Sequence, residues 1–136
     1  MPIERPTHAG LRHLALNARD LEGMKRFYVD LLGFAVEWEP DPDNVYLSSG
    51  IDNLALHRSA APTAGGAPAA GSALDHLGLI VRTPGEVDDW AAFLESRGVT
   101  IDARPRTHRD GARSCYFRDP DGNHVQVIHH PPISHK

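Results

Sequence analysis

The chain has 136 residues, with 18 acidic and 14 basic side chains and a net charge of −4 when histidine is neutral. This charge argues against a nucleic-acid partner, and no apolar run approaches the length that a membrane span needs. The first ten residues lack an apolar core, so we expect no signal peptide. The single cysteine, Cys115, fits a reducing cytoplasm and is expected to pack inside the protein.

Two short stretches of the chain follow one pattern. Residues 11–16 read Leu-Arg-His-Leu-Ala-Leu, and residues 74–79 read Leu-Asp-His-Leu-Gly-Leu. Both alternate as a half-buried strand does, so His13 should point the same way as Ala15, and His76 the same way as Gly78. Two histidines with small neighbours on equivalent strands predict a paired site.

A helical pattern follows each of these strands. In the first half, Asp20 is a good N-cap and Gly33 sits where a left-handed C-terminal residue belongs. In the second half, Thr83 and Glu86 form a capping-box pattern, with Pro84 at the first helical position. Gly98 is predicted to end this second helix.

Three short strands are predicted after each helix, which gives the order βαβββ twice and an α+β fold. The predicted strands are Phe34–Trp38, Val45–Ser48 and Leu54–Arg58, then Val99–Arg104, Arg113–Phe117 and His124–Ile128. The modules therefore cover residues 9–59 and 74–130, joined by a small, chargeless linker at 60–73. Halves of this size bury little core alone, so we expect them to pack as one domain spanning 1–136, or to swap between chains.

Polar side chains should gather on one face of the second sheet. In the last strand, alternation places His124 and Gln126 together, and the tight turn before it brings the strand of Tyr116 alongside. Tyr116 and Gln126, together with His13 and His76, would form a plausible site. Each has a plainer interpretation, because a strand histidine or glutamine is usually a surface residue and a tyrosine usually packs. The histidines of the Pro-rich tail, His129, His130 and His135, are expected to be solvated.

Two longer motifs carry a resemblance to a known family. The stretch from His13 through Arg26-Phe-Tyr-Val-Asp-Leu-Leu-Gly-Phe34 resembles the opening module of the vicinal oxygen chelate superfamily, and Tyr116–Val127 resembles its closing strands. This group contains glyoxalase I, extradiol dioxygenases and the bleomycin-binding proteins. The resemblance implies paired βαβββ modules whose mixed sheets curl around a cavity, usually in a homodimer.

The resemblance also implies a divalent metal ion, with zinc, iron(II), manganese and nickel as candidates. Its ligands by position would be His13, His76 and Gln126, where most metal-dependent members have glutamate at the last of these. The corresponding position of the first module falls on Ala55, and His57 faces the same way two residues later. His57 would serve as a ligand only if the strand shifted.

A comparison with the dioxygenases of the group is mixed. Tyr116 matches the family's site tyrosine, which makes it the candidate catalytic residue. Ser48 stands where the dioxygenases would have a catalytic histidine that does not bind the metal itself. Glutamine offers a neutral oxygen instead of a charged one, so the site should bind metal more weakly and depend on an anionic or chelating substrate.

Two functions of different classes follow from the sequence. The first is a metal-dependent enzyme, lyase-like, isomerase-like or dioxygenase-like, that acts on a small oxygen-rich substrate. The second is a metal-free protein of the bleomycin-resistance type that binds a drug or metabolite, with Trp38, Tyr46 and Trp90 as possible aromatic lining.

Overall fold

The computed structural model describes residues 3–5, 11–59 and 74–136. The chain divides into two compact units, Met1–Ala60 and Ala61–Lys136. The predicted linker at 60–73 lies outside the described residues. That the two units pack as one domain stays a prediction.

The first unit is a four-stranded mixed sheet with a short helix. Its elements are β1 (His13–Ala18), α1 (Leu21–Arg26), a π-helical turn (Phe27–Leu31), β2 (Ala35–Asp41), β3 (Asn44–Ser48) and β4 (Asn53–Arg58). The strand order is β1-β4-β3-β2. β1 runs parallel to β4, and the other neighbours are antiparallel.

The second unit repeats this topology. Its elements are β5 (Leu77–Ile80), α2 (Pro84–Ser96), β6 (Ile101–Thr107), β7 (Arg113–Arg118), β8 (His124–His129) and α3 (Pro131–Ser134). The strand order is β5-β8-β7-β6, again with the first strand parallel to the last. The predicted repeat of βαβββ and the α+β class are therefore confirmed. None of the described helices is long and apolar enough to span a bilayer.

Two bulges in each outer strand lengthen it beyond its predicted end. The pairing of β2 with β3 shifts between Val36 and Trp38, and again between Trp38 and Asp41; β6 shifts at the equivalent places. Pro40 and Pro105 lie within the second shift of each strand, where a missing N–H is tolerated. A bulge interrupts strict alternation, so the sequence pattern ended these strands too early.

The helix ends follow the predicted signals in part. The Asp20 side chain accepts a hydrogen bond from the Gly23 backbone N–H at 3.0 Å, and Gly33 and Gly98 have φ angles of 80° and 85°. Thr83 is the N-cap of α2, but its hydroxyl donates to the Glu86 carboxylate at 3.0 Å. A capping box would also have the Thr83 side chain accept a hydrogen bond from a helix backbone N–H. That part of the prediction is wrong, because Thr83 makes no such bond.

Alternation places the cores on the helix-facing side of each sheet. In β8, Val125 and Val127 are buried, and so are Cys115 and Phe117 of β7, as expected for that cysteine. Burial raises the pKa of the Cys115 thiol, which keeps it protonated and poorly reactive at neutral pH.

The expectation that His129 is solvated is wrong. β8 extends one residue past its predicted end, and alternation then puts His129 on the buried face, where it is 8% exposed. In the described part of the chain, its Nδ1 atom is the one enclosed side-chain nitrogen or oxygen without a hydrogen-bond partner.

The Asp20 cap gives a direct test of the first unit. Replacing Asp20 with Ala removes the acceptor for the Gly23 N–H, so we predict a loss of about 0.5–2 kcal/mol in the free energy of unfolding, measured by urea denaturation. Asp20→Asn is the matched control, because asparagine caps equally well. Equal stability of Asp20→Ala and wild type would contradict the assigned cap.

Candidate functional site

The first unit presents His13 on the open face of its sheet. His13, Ala15 and Asn17 of β1 are exposed, whereas Leu16 and Ala18, which alternate with them, are buried. This is the alternation predicted from the sequence, and it leaves the imidazole of His13 on the face away from the helix.

A chain of polar groups fixes the imidazole of His13. Its Nδ1 atom lies 2.8 Å from Oδ1 of Asn53, and Nδ2 of Asn53 donates to the Glu37 carboxylate at 3.2 Å. Because a carboxylate only accepts, the amide of Asn53 must turn its oxygen toward His13. His13 therefore carries its proton on Nδ1, and its Nε2 lone pair is left bare in the neutral ring. This is the form in which histidine binds a metal.

His76 is held in the same tautomer by a direct bond to a carboxylate, without an amide between them. It lies directly before β5, and its Nδ1 atom is 2.7 Å from the Asp75 carboxylate. The carboxylate again can only accept, so in the neutral ring the proton sits on Nδ1 and the Nε2 lone pair is bare. A carboxylate partner of this kind orients a ligating histidine and raises its basicity.

Gln126 lies beside His76 through the pairing of β5 with β8. Gly78 is level with Gln126 in this parallel pair, and a Cβ atom on Gly78 would lie 3.4 Å from Oε1 of Gln126. The glycine therefore leaves room in front of that oxygen. Nε2 of Gln126 donates to the Tyr116 hydroxyl at 2.9 Å, so the amide oxygen remains available to a ligand.

Tyr116 joins the side chains of this face. Its ring packs edge-on against His76 at 5.4 Å between centroids and against His124 at 6.1 Å. Burial raises the pKa of the Tyr116 hydroxyl, and the negative charge of Asp75 raises it further. The hydroxyl accepts from Gln126, so its own proton is free to be donated.

Within the second unit, the structure thus brings together three of the four predicted site residues, His76, Tyr116 and Gln126. His13 belongs to the first unit, and its convergence with the other three stays a prediction. No three histidine, cysteine or carboxylate side chains gather as a metal-binding group in the described residues. The predicted ligand set contains two histidines, His13 and His76, and the amide side chain of Gln126.

Sequence reasoning missed the residues that orient the histidines. Asp75 was visible as the immediate neighbour of His76, and a carboxylate beside a histidine is a usable signal. Asn53 and Glu37 left no such signal, because Asn53 becomes level with His13 only through the parallel pairing of β1 with β4. Glu37 reaches Asn53 from the first bulge of β2.

Comparison with known proteins identifies the family of this chain. Residues 10–127 match the Glyoxalase/Bleomycin resistance protein/Dioxygenase superfamily. The chain belongs to this superfamily. The match covers both βαβββ units and every residue of the predicted site.

Individual relatives represent different activities of the superfamily. Biphenyl-2,3-diol 1,2-dioxygenase 3 of Rhodococcus globerulus is 32% identical over 122 residues, which cover 86% of this chain and 61% of that enzyme. The chain thus spans about three fifths of this curated relative. The crystal structure of lactoylglutathione lyase from Agrobacterium tumefaciens is 25% identical, with a TM-score of 0.73 over 91% of this chain and 96% of that one. A glyoxalase/bleomycin resistance protein/dioxygenase from Nocardioides is also 25% identical, with a TM-score of 0.68 over 94% and 85%.

The tautomer of His13 can be tested directly. In Asn53→Leu the Nδ1 proton loses its acceptor, so we predict that the single Nδ1–H form of wild type becomes a mixture of both tautomers. Imidazole ¹⁵N NMR above the histidine titration range measures this ratio. Asn53→Asp is the control, because its carboxylate still accepts from Nδ1. An unchanged tautomer ratio in Asn53→Leu would show that Asn53 does not set it.

The titration of Tyr116 supplies a second test. We predict that its pKa lies above the ordinary tyrosine value and falls in Asp75→Asn, while staying raised because burial is the larger cause. Ring ¹³C NMR against pH measures the pKa, and Tyr116→Phe assigns the signal. Asp75→Glu keeps the charge and should keep most of the rise. An equal Tyr116 pKa in wild type and Asp75→Asn would show that the charge of Asp75 does not raise it.

Proposed function

We propose that the protein is a metal-dependent enzyme of the vicinal oxygen chelate type that acts on a small oxygen-rich substrate. The observation that carries this proposal is the shared state of His13 and His76, each of which donates Nδ1–H to an oxygen and keeps Nε2 bare. This tautomer is the one that a metal ligand needs, because the ion takes the Nε2 lone pair.

The proposed ligands are His13, His76 and Oε1 of Gln126, and their chemistry fits a divalent cation. Two imidazoles suit zinc, iron, nickel and manganese to differing degrees, and an amide oxygen adds a neutral third donor. Gln126 brings no charge, so a bound substrate with vicinal oxygens would complete the ligand set. The ion, when bound, would polarise those oxygens as a Lewis acid.

In this proposal Tyr116 is the catalytic residue of the protein itself. Its raised pKa keeps the hydroxyl protonated at neutral pH, and the Gln126 amide occupies the oxygen as a donor. The remaining O–H is then available to donate a hydrogen bond to a substrate oxygen that gains negative charge during the reaction. Gln126 would thus act twice, as a ligand through its oxygen and as the residue that orients Tyr116.

We propose two alternative classes of reaction. One is lyase or isomerase chemistry, and the other is ring-opening dioxygenation. Each has a representative among the relatives. We also propose a homodimer in which units from different chains share a site, as the family resemblance implies, and a cytoplasmic location, which suits the free Cys115 thiol.

A metal-free binding protein is the second candidate. The observation in its favour lies in the first unit, where Ala55, at the position that would supply a fourth ligand, is fully buried and apolar. Together with the neutral Gln126, this leaves the predicted site without a carboxylate ligand. The two candidates differ in one measurable property, which is the affinity for a divalent cation.

Metal titration of matched variants separates the candidates. Gln126→Glu adds a negative ligand, and opposite unit charges about 4 Å apart near a protein surface attract by about 4 kcal/mol. We predict at least a tenfold gain in zinc, iron(II) or manganese affinity. A tenfold gain corresponds to about 1.4 kcal/mol of binding free energy, which is less than this attraction. His76→Ala should abolish specific binding. Isothermal titration calorimetry on the full chain without a histidine tag gives these affinities.

Two controls keep this titration interpretable. Gln126→Leu should lower affinity, because the amide oxygen is lost at similar size, and His130→Asn should leave it unchanged, since the chain has nine histidines that can bind metal weakly. Negligible binding in wild type and in Gln126→Glu alike would support the metal-free binder instead.

A further inference from the structure

A groove lies on the helix-facing side of the first unit, opposite the face that carries His13. One wall is α1 with the π-helical turn that follows it, and the other wall is the hairpin of β2 and β3. The buried side chains of Leu21 and Val45 form its floor, and Val29 and Pro42 extend the apolar lining. The groove encloses about 300 Å³, which is the lower end of the size range of small-molecule sites.

Two ion pairs hold the walls of this groove in place. Lys25 of α1 donates to both carboxylate oxygens of Glu39 in β2, at 2.8 and 3.0 Å. Arg58 donates to the Glu22 carboxylate of α1 at 2.6 Å and to the backbone oxygen of Pro42 at 3.1 Å. The bond from Arg58 lowers the pKa of Glu22, so both pairs are charged at neutral pH. These lining charges already have partners, and a ligand gains little from them.

Arg26 and Asp30 line the same groove but have no such partner. Within the described part of the chain, neither side chain makes a hydrogen bond or an ion pair, and Arg26 adds only a longer-range attraction to Glu22. An α-helix would bring residues four apart together. Here the N–H of Leu32 bonds to the oxygen of Phe27, five residues back. This wider turn, of a kind that is frequent at functional sites, leaves one free cation and one free anion beside the apolar floor.

We propose that this groove binds a small zwitterion, an α-amino acid with an aliphatic side chain. Arg26 pairs with its carboxylate, Asp30 pairs with its ammonium group, and its side chain covers Leu21, Val29 and Val45. A ligand with a single charge would leave one of the two charged residues unpaired, whereas a zwitterion serves both. The groove lies on the other side of the sheet from the face proposed to bind metal, so this ligand is distinct from the substrate of the proposed function.

An NMR titration of the full chain with L-leucine tests the site. The protein is first treated with EDTA and dialysed, so that the result does not depend on the proposed metal site. We predict saturable shifts of backbone amide signals, confined to residues 21–30 and 39–45. The dissociation constant should lie in the millimolar range, because exposed ion pairs contribute little each. Glycine has no aliphatic side chain to cover the floor and should bind more weakly.

Two variants and two singly charged ligands separate the contributions of the two charges. Arg26→Gln should weaken leucine binding about two- to fivefold and leave the binding of isoamylamine, which has no carboxylate, unchanged. Asp30→Asn should weaken leucine binding by a similar factor and leave the binding of isocaproate, which has no ammonium group, unchanged. Arg109→Gln is the matched control, because Arg109 lies in the second unit and outside the groove.

Three results would overturn the proposal. The first is amide shifts that do not saturate or that spread over both units. The second is binding of isocaproate or isoamylamine as tight as that of leucine, which would make the groove a site for a single charge. The third is an unchanged leucine affinity in Arg26→Gln and Asp30→Asn alike. Both side chains are exposed, so the two variants should keep the fold, and their amide spectra check this.

Discussion

The parallel pairing of the first strand with the last strand in each unit is the constraint on which the site depends. In the second unit this pairing sets Gly78 level with Gln126, and His76, two residues before the glycine, then lies diagonally across from the amide. In the first unit the same pairing sets His13 level with Asn53, the residue that fixes its tautomer. A slip of one residue would turn either last strand over, and Gln126 or Asn53 would then leave the open face of its sheet.

The two units share one pattern of strand pairing but carry different side chains at equivalent positions. The pairing that joins Tyr46 to Ala55 in the first unit joins Tyr116 to Gln126 in the second. The first unit thus has the apolar Ala55 where the second has the polar Gln126. Tyr46 contacts the rings of Trp38 and His57 instead of an amide. The outer strands differ likewise, with Trp38 in the first unit at the place that Ala103 has in the second.

The elements that depend on local pattern could be predicted from the sequence. Neighbouring residues alone predict the alternation around His13 and His76, the cap at Asp20 and the left-handed Gly33. The family resemblance added the position of Gln126 on the last strand. The rest depends on pairing between distant residues. Asn53 reaches His13 from the neighbouring strand, and the bulges of β2 and β6 arise only against a partner strand. His57 likewise donates its Nδ1–H to the amide oxygen of Asn44 on the adjacent strand. No single window of sequence contains these relations.

The central claim is that His13 and His76 present their Nε2 lone pairs to one cation. Imidazole ¹⁵N NMR of the full chain during a zinc titration tests this most directly, because each histidine reports for itself. The account predicts that the Nε2 signals of His13 and His76 move together and saturate at the same ratio of zinc to chain, while both Nδ1 atoms stay protonated. Separate saturation of the two histidines, or movement of other histidines in their place, would contradict it.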